Sequence, residues 1–133
     1  MNTVALALIF SSISQFYNIS PGLLSALCYV ESNHAVHAIH LNDGGSNSVG
    51  VCQIKLRTAQ AVGFRGTERE LSDPTTNVYW AARYLHWQLN RYDGDILKAV
   101  SAYNAGSHRL NSQGLTINRK YVRKVFNAWA DSK

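Results

Sequence analysis

The sequence predicts a mainly α-helical fold carrying one small β-hairpin. Three observations carry that expectation. Apolar residues recur at helical spacing along most of the chain. Ser, Asp, Pro and Gly stand where helices would start and stop. Only one stretch, residues 42–50, is dominated by turn residues before a β-like run. The chain has 133 residues and is 46% hydrophobic, enough for one sizeable core and hardly for two. Residues 1–133 are therefore expected to form a single domain. No repeat, low-complexity segment or linker interrupts them.

The elements follow in order. Val4, Leu8, Ile9, Ile13 and Phe16 recur with helical period and predict a first helix. The same run could pass for a signal-peptide core. It lacks a preceding Lys or Arg and a following small-residue cleavage site, and it is too short to span a bilayer. Delivery to the outside by another route is the expectation. Ser20-Pro21 predicts the next helix start, with Ser as N-cap and Pro in the first position. Leu23, Leu24, Leu27, Cys28 and Val30 carry that helix inward, and Glu31 stands near its end. Asn42 to Gly50 is turn chemistry leading into Val51-Cys52-Gln53-Ile54, the expected β element. Leu56 to Val62 predicts a short helix ended by Gly63, and Glu68 and Glu70 read as a polar loop. Asp73-Pro74 opens the longest helix, lined by Val78, Ala81, Ala82, Leu85, Leu89 and Tyr92 and ended at Gly94. Ile96 to Tyr103 forms another, stopping near Asn104-Ala105-Gly106, and a last helix runs from about Arg119 to Ala130.

The net charge of +5 is unevenly placed, since no Lys or Arg precedes Lys55. The C-terminal part carries Arg109, Arg119, Lys120, Arg123, Lys124 and Lys133 against Asp131 alone. One reading is a solvated helix face; the other is steering towards a polyanionic envelope. No zinc-finger or RRM signature supports a nucleic-acid partner. Cys28 and Cys52 are too few for a disulfide framework. Buried thiols are the ordinary expectation in their apolar settings, while a single bridge would fit an oxidising compartment.

Carboxylates are scarce, and most have a structural explanation. Asp73 reads as an N-cap, and Asp93 and Asp95 flank a turn glycine. Glu31 is different, because it follows an apolar helix and starts no new one. A carboxyl group against apolar surface has its neutral form favoured, which is what a general acid needs near neutral pH. Glu31, His34, His37 and His40 recur every three residues. That half-motif of a metal site lacks its second copy and drifts around a helix, so no metal and no cofactor is expected.

Five segments, in order, resemble the lytic transglycosylases related to the soluble lytic transglycosylase. Glu31-Ser32 after a Leu-rich helix is similar to their first motif, and Gly50-Val51-Cys52-Gln53-Ile54 to their Gly-Leu-Met-Gln-Ile. Asp73-Pro74-Thr75-Thr76-Asn77 followed by Ala82-Arg83-Tyr84-Leu85 resembles their long helix. Ala102-Tyr103-Asn104-Ala105-Gly106 matches without change, and Arg119-Lys120-Tyr121-Val122 resembles their Arg-x-Tyr-Val element. The resemblance runs from about Ile19 to Val125. It departs at Cys52, in place of Met, at Lys55, and at Leu115-Thr116-Ile117-Asn118, which replaces the usual Pro-x-Glu-Thr.

The resemblance implies a lysozyme-like fold of the goose-type or soluble-transglycosylase kind. It implies cleavage, without water, of the bond between N-acetylmuramic acid and N-acetylglucosamine in peptidoglycan, leaving 1,6-anhydro ends. It gives Glu31 the role of catalytic acid and then base. It gives Ser32 and Gln53 hydrogen bonds to sugar, Tyr103 a place beside Glu31 or the acetamide, Asn104 a bracing role, and Tyr121 the closing of the site. A free-standing domain without a convincing signal peptide, rather than any motif, suggests a monomer acting in the periplasm or on the outer face of the cell in phage lysis or entry, with a transglycosylase attached to a secretion or conjugation apparatus as the alternative. The rival reading is a lysozyme-like hydrolase of the same fold, which would need Asp43 as its second carboxylate. A sugar-binding module would need no acid placed like Glu31.

Overall fold

The computed structural model describes residues 1–132, without the side chains of Asn42 and Asp43. Among the described residues it holds helices α1 (Thr3–Phe16), α2 (Leu23–Ser32), α3 (Leu56–Ala61), α4 (Glu68–Leu71), α5 (Pro74–Arg91), α6 (Ile96–Ala105) and α7 (Arg119–Asp131). Between α2 and α3 run the strands β1 (Ile39–Asp43), β2 (Ser46–Val49) and β3 (Ile54–Lys55). The mainly helical fold with a small β element is thus observed. The strands form one antiparallel sheet in the order β1-β2-β3.

Helix α5 is the axis of the packing and touches α1, α3, α4, α6 and β3. Its Asp73 N-cap accepts from the Thr76 amide, and Pro74 stands in the first turn, where a missing N–H costs nothing. Val78, Ala81, Ala82 and Leu85 on α5 are fully buried. They meet Leu23, Leu24 and Leu27 of α2, Val100 of α6 and Val125 of α7 in one core. Burying a side chain such as Leu85 contributes roughly 2 kcal/mol. A second cluster of Val49, Ile54, Ala59, Phe64 and Leu71 lies under the sheet and α3.

Three expectations are corrected. Helix α2 begins after Gly22, not at Ser20-Pro21. Gly22 adopts a left-handed conformation (φ 81°) that turns the chain into the helix. The Pro21 carbonyl is instead taken by the Trp129 indole N–H of α7 at 2.9 Å. The main β ladder precedes Val51 rather than starting there. Ser46–Val49 pairs with β1, and residues 50–53 form a tight turn before β3. Finally, Glu68 and Glu70 lie in a helix. Thr67 and Glu70 form a capping box, with each side chain bonded to the other's backbone N–H.

Cys28 and Cys52 form a disulfide, so the buried-thiol expectation gives way to the bridge. It ties α2 to the turn after β2. Asn77, fully buried on α5, holds the same turn: it accepts from the Cys52 amide at 2.8 Å and donates to the Val49 and Leu71 carbonyls at 2.9 Å each. Gly50 is packed so closely on that carboxamide, with φ 82°, that a Cβ there would overlap it. Among the described residues, no helix is long and apolar enough to cross a membrane.

Candidate active site

Glu31 stands in the last turn of α2, three residues past the disulfide that fixes the helix to the β2–β3 turn. Its carboxylate faces a cleft of about 250 Å³. The walls come from the sheet (Ser48, Lys55), the β2–β3 turn (Gln53), the start of α3 (Arg57, Thr58), Tyr84 of α5, and the C-terminal turn of α6 (Tyr103, Asn104, Gly106). Lys55 and Arg57 are the cations of this wall, so the cleft pairs one carboxylate with two positive charges. A second, open hollow of about 320 Å³ shares Arg57, Thr58, Tyr84 and Gly106 and continues the groove to Trp87.

One partner of Glu31 comes from ninety residues away. Tyr121 of α7 donates its hydroxyl proton to Glu31 Oε2 at 2.7 Å. Helix α7 has a basic exposed face and an apolar face, with Val122 and Val125 buried against α2. That packing turns Tyr121 towards Glu31. Burial, and then the charge of Glu31, push the Tyr121 hydroxyl well above the usual tyrosine value. Tyr121 therefore remains a hydrogen-bond donor through neutral and mildly alkaline pH.

Tyr103 is buried on α6 and also lies close enough to feel Glu31. Burial first and the Glu31 charge second raise its hydroxyl well above the ordinary value. Its proton goes to the Cys52 carbonyl at 2.9 Å. The Tyr121 hydroxyl thus bonds to Glu31, while the Tyr103 hydroxyl anchors the β2–β3 turn.

Gln53 is held in a left-handed conformation (φ 49°), a strained position for a side chain other than Gly or Asn. Its Nε2 donates to the Ala38 and Gly50 carbonyls at 3.1 and 2.9 Å, which leaves Oε1 as the acceptor for the cleft. Ser32 is not in the cleft wall. Its hydroxyl donates to the Val51 carbonyl at 2.6 Å, with the Cys28 carbonyl at 3.3 Å. It joins the end of α2 to the turn rather than reaching towards a ligand. Asn104 is exposed in the cleft, and its Oδ1 accepts from Asn118 at 2.9 Å.

Glu31, Gln53, Tyr103, Asn104 and Tyr121 are therefore brought together, and Ser32 sits behind them. The side chain of Asp43 lies outside the described residues. His34 is committed elsewhere, with Nε2 2.8 Å from the Ser25 carbonyl and its ring against Phe10 and Tyr29. Among the described residues no three His, Cys, Asp or Glu side chains gather as metal ligands. Reading the sequence did not single out Tyr84, Arg57 or Thr58 as cleft residues. Tyr84 was already within a recognised segment, but nothing local marks the side of α5 that it takes.

The chain matches the family model described as the transglycosylase SLT domain over residues 9–125. Protein IpgF of Shigella flexneri is 32% identical over 120 residues, covering 88% of this chain and 78% of that protein. The transglycosylase of Enterobacteria phage PRD1 is 30% identical over 109 residues, which is 82% of this chain and 37% of the phage protein. Peptidoglycan transglycosylase gp16 of Escherichia phage T7 is 29% identical over 110 residues, 80% of this chain and 8% of its own length.

Proposed function

Because the chain belongs to the transglycosylase SLT domain family, and so has a lysozyme-like fold, we propose that it is a peptidoglycan lytic transglycosylase that uses Glu31 as its single acid and base. The observation that carries this reading is Glu31 in the cleft wall with the Tyr121 hydroxyl 2.7 Å from its carboxylate. The phage relatives named as transglycosylases support it.

The bond cut is the β-1,4 link from N-acetylmuramic acid to N-acetylglucosamine. Protonated Glu31 gives its proton to the bridging oxygen as the bond from the muramic C1 breaks. The oxygen of the muramic N-acetyl group closes on C1 and holds the positive charge, a substrate-assisted step that needs no second carboxylate. Glu31, now charged, takes the proton of the muramic C6 hydroxyl. That oxygen then displaces the acetamide at C1. The products are an N-acetylglucosamine end with a free 4-hydroxyl and a 1,6-anhydromuramic end, and no water is consumed. Acid–base help of this kind is typically worth ~10²–10⁴-fold.

The other residues support these steps by position. Tyr121 steadies the charged form of Glu31 between the two proton transfers. Gln53 Oε1 accepts from a sugar hydroxyl or the acetamide N–H, and Asn104 presents its amide donors to the strand. Tyr103 and Ser32 hold the turn that carries Gln53. Lys55 and Arg57 favour a substrate with carboxylate groups, and the continuation of the groove past Tyr84 suits a polymer. The exposed basic residues of α7 favour the anionic envelope as the place of action. A monomer acting on the cell wall in phage lysis or entry is the setting this reading favours.

The test is release of soluble fragments from purified peptidoglycan sacculi by wild type and Glu31→Gln. Wild type releases them, and the Gln variant, isosteric and unable to supply a proton, falls by a factor of at least ~10². Equal release by both would remove Glu31 from the chemistry.

A further inference from the structure

Asn118 occupies the N-cap of α7, yet its side chain makes no capping hydrogen bond to that helix. A cap Asn ordinarily accepts from an amide in the first turn. Here the carboxamide is spent on α6 instead. Asn118 Oδ1 accepts from the Ser101 hydroxyl at 2.6 Å, and Nδ2 donates to the Ser101 carbonyl and to Asn104 Oδ1 at 2.9 Å each. Ser101 is fully buried. The carboxamide therefore makes three hydrogen bonds to one turn of the neighbouring helix, all at good distances.

Two site residues depend on this latch. Tyr121 follows Asn118 by three residues, so it projects from the same side of α7 one turn later. The place where Asn118 is pinned sets the depth and rotation at which the Tyr121 hydroxyl meets Glu31. Asn104 is the second. With its Oδ1 taken by Asn118, the amide is oriented with its NH2 donors left for the cleft. The latch lies where the sequence departs from the related enzymes, in Leu115-Thr116-Ile117-Asn118.

We infer that Asn118 is a positioning residue that locks α7 to α6, thereby holding Tyr121 on Glu31 and presenting the Asn104 amide donors to the substrate. The inference rests on the proposed acid–base role of Glu31. Glu31 is faced by Tyr121 from α7 and by Tyr103 from α6, with Lys55 and Arg57 in the wall across the cleft. Of these, only Tyr121 is held by the latch.

The experiment compares wild type, Asn118→Ala, Tyr121→Phe and the double variant on purified glycan strands, measuring kcat, KM and their pH profiles. Asn118→Ala lowers kcat about tenfold, as displacement of a catalytic neighbour does. A hydrogen bond to a carboxylate favours the charged form. Its loss moves the alkaline limb of the kcat profile upward, by up to about one pH unit. Tyr121→Phe moves it the same way, and adding Asn118→Ala to Tyr121→Phe moves it no further. A lower melting temperature with an unshifted limb, or additive shifts of the limb in the double variant, would overturn the inference. Ser101→Ala, which removes one latch bond and leaves the other two, shifts the limb less and in the same direction. It serves if Asn118→Ala does not fold. A readout without turnover separates failure of the latch from failure of the proposed function. The 13C resonance of the Tyr121 ring Cζ moves in Asn118→Ala, and an unmoved resonance would overturn the latch whatever the enzyme's activity.

Discussion

The acceptor of the hydroxyl proton distinguishes the two tyrosines beside Glu31. Tyr121 spends its proton on the carboxylate, and Tyr103 spends its own on the Cys52 carbonyl. Tyr103→Phe should therefore act mainly on stability. It leaves a buried carbonyl without its donor, a loss of about 1–3 kcal/mol. The expected outcome is a lower urea midpoint with kcat reduced less than in Tyr121→Phe. Unchanged stability with abolished turnover would mean that the Tyr103 hydroxyl works on substrate. Glu31 stood out in the sequence because it follows an apolar helix and starts no new one, but that position equally suits an exposed helix end, and the ordered motifs gave it a role. Gln53, Tyr103, Asn104 and Tyr121 were legible as members of ordered motifs. Which tyrosine touches Glu31 was not, because that depends on how α7 lies on α2, far along the chain. Ser32 was expected at the sugar, and only the folded turn shows that its hydroxyl is used by Val51.

At the scale of elements, the site hangs on the β2–β3 turn. The Cys28–Cys52 bridge, Asn77, Ser32 and Tyr103 reach that turn from α2, α5 and α6. The bridge closes a loop of 24 residues, which predicts a stabilisation of about 3 kcal/mol. The Cys28→Ala/Cys52→Ala protein should melt about 10 °C lower. Calorimetry of oxidised wild type and of this variant checks it, and equal melting temperatures would show that the other ties suffice. Most helices were legible from apolar period and from caps such as Asp73-Pro74. Helix α4 also carried its signal, the Thr67-x-x-Glu70 box, hidden in a polar stretch. The start of α2 misled because Ser20-Pro21 is a good start signal. There Gly22 and the contact of Trp129 with Pro21 decide otherwise, and the second of these is tertiary. The strand register was illegible because Val51 and Cys52 look like strand residues but are buried in a turn. The bridge was illegible because apolar settings suit a thiol and a disulfide equally.

Across the whole molecule, the tyrosines set a pH limit. Tyr84, Tyr103 and Tyr121 all have hydroxyls raised above the ordinary value, with burial the largest cause. Below about pH 10 they are neutral in both folded and unfolded chains. Above it the unfolded chain releases protons that the folded chain keeps, so stability falls as pH rises from about 10 onward. Urea midpoints measured from pH 8 to 11 should hold steady and then drop; a flat profile to pH 11 would contradict the burial of these hydroxyls. The net charge of +5, concentrated late in the chain, was visible from composition, as was the helical fold. The groove was not, because its walls come from β2, β3, α3, α5 and α6 together.

We propose that one carboxylate cuts the glycan strand without water. Mass spectrometry of the soluble fragments from purified peptidoglycan tests it most directly. Muramic ends one water lighter than reducing ends are expected from wild type and should be missing with Glu31→Gln. Reducing ends, carrying the full mass of an added water, would contradict it.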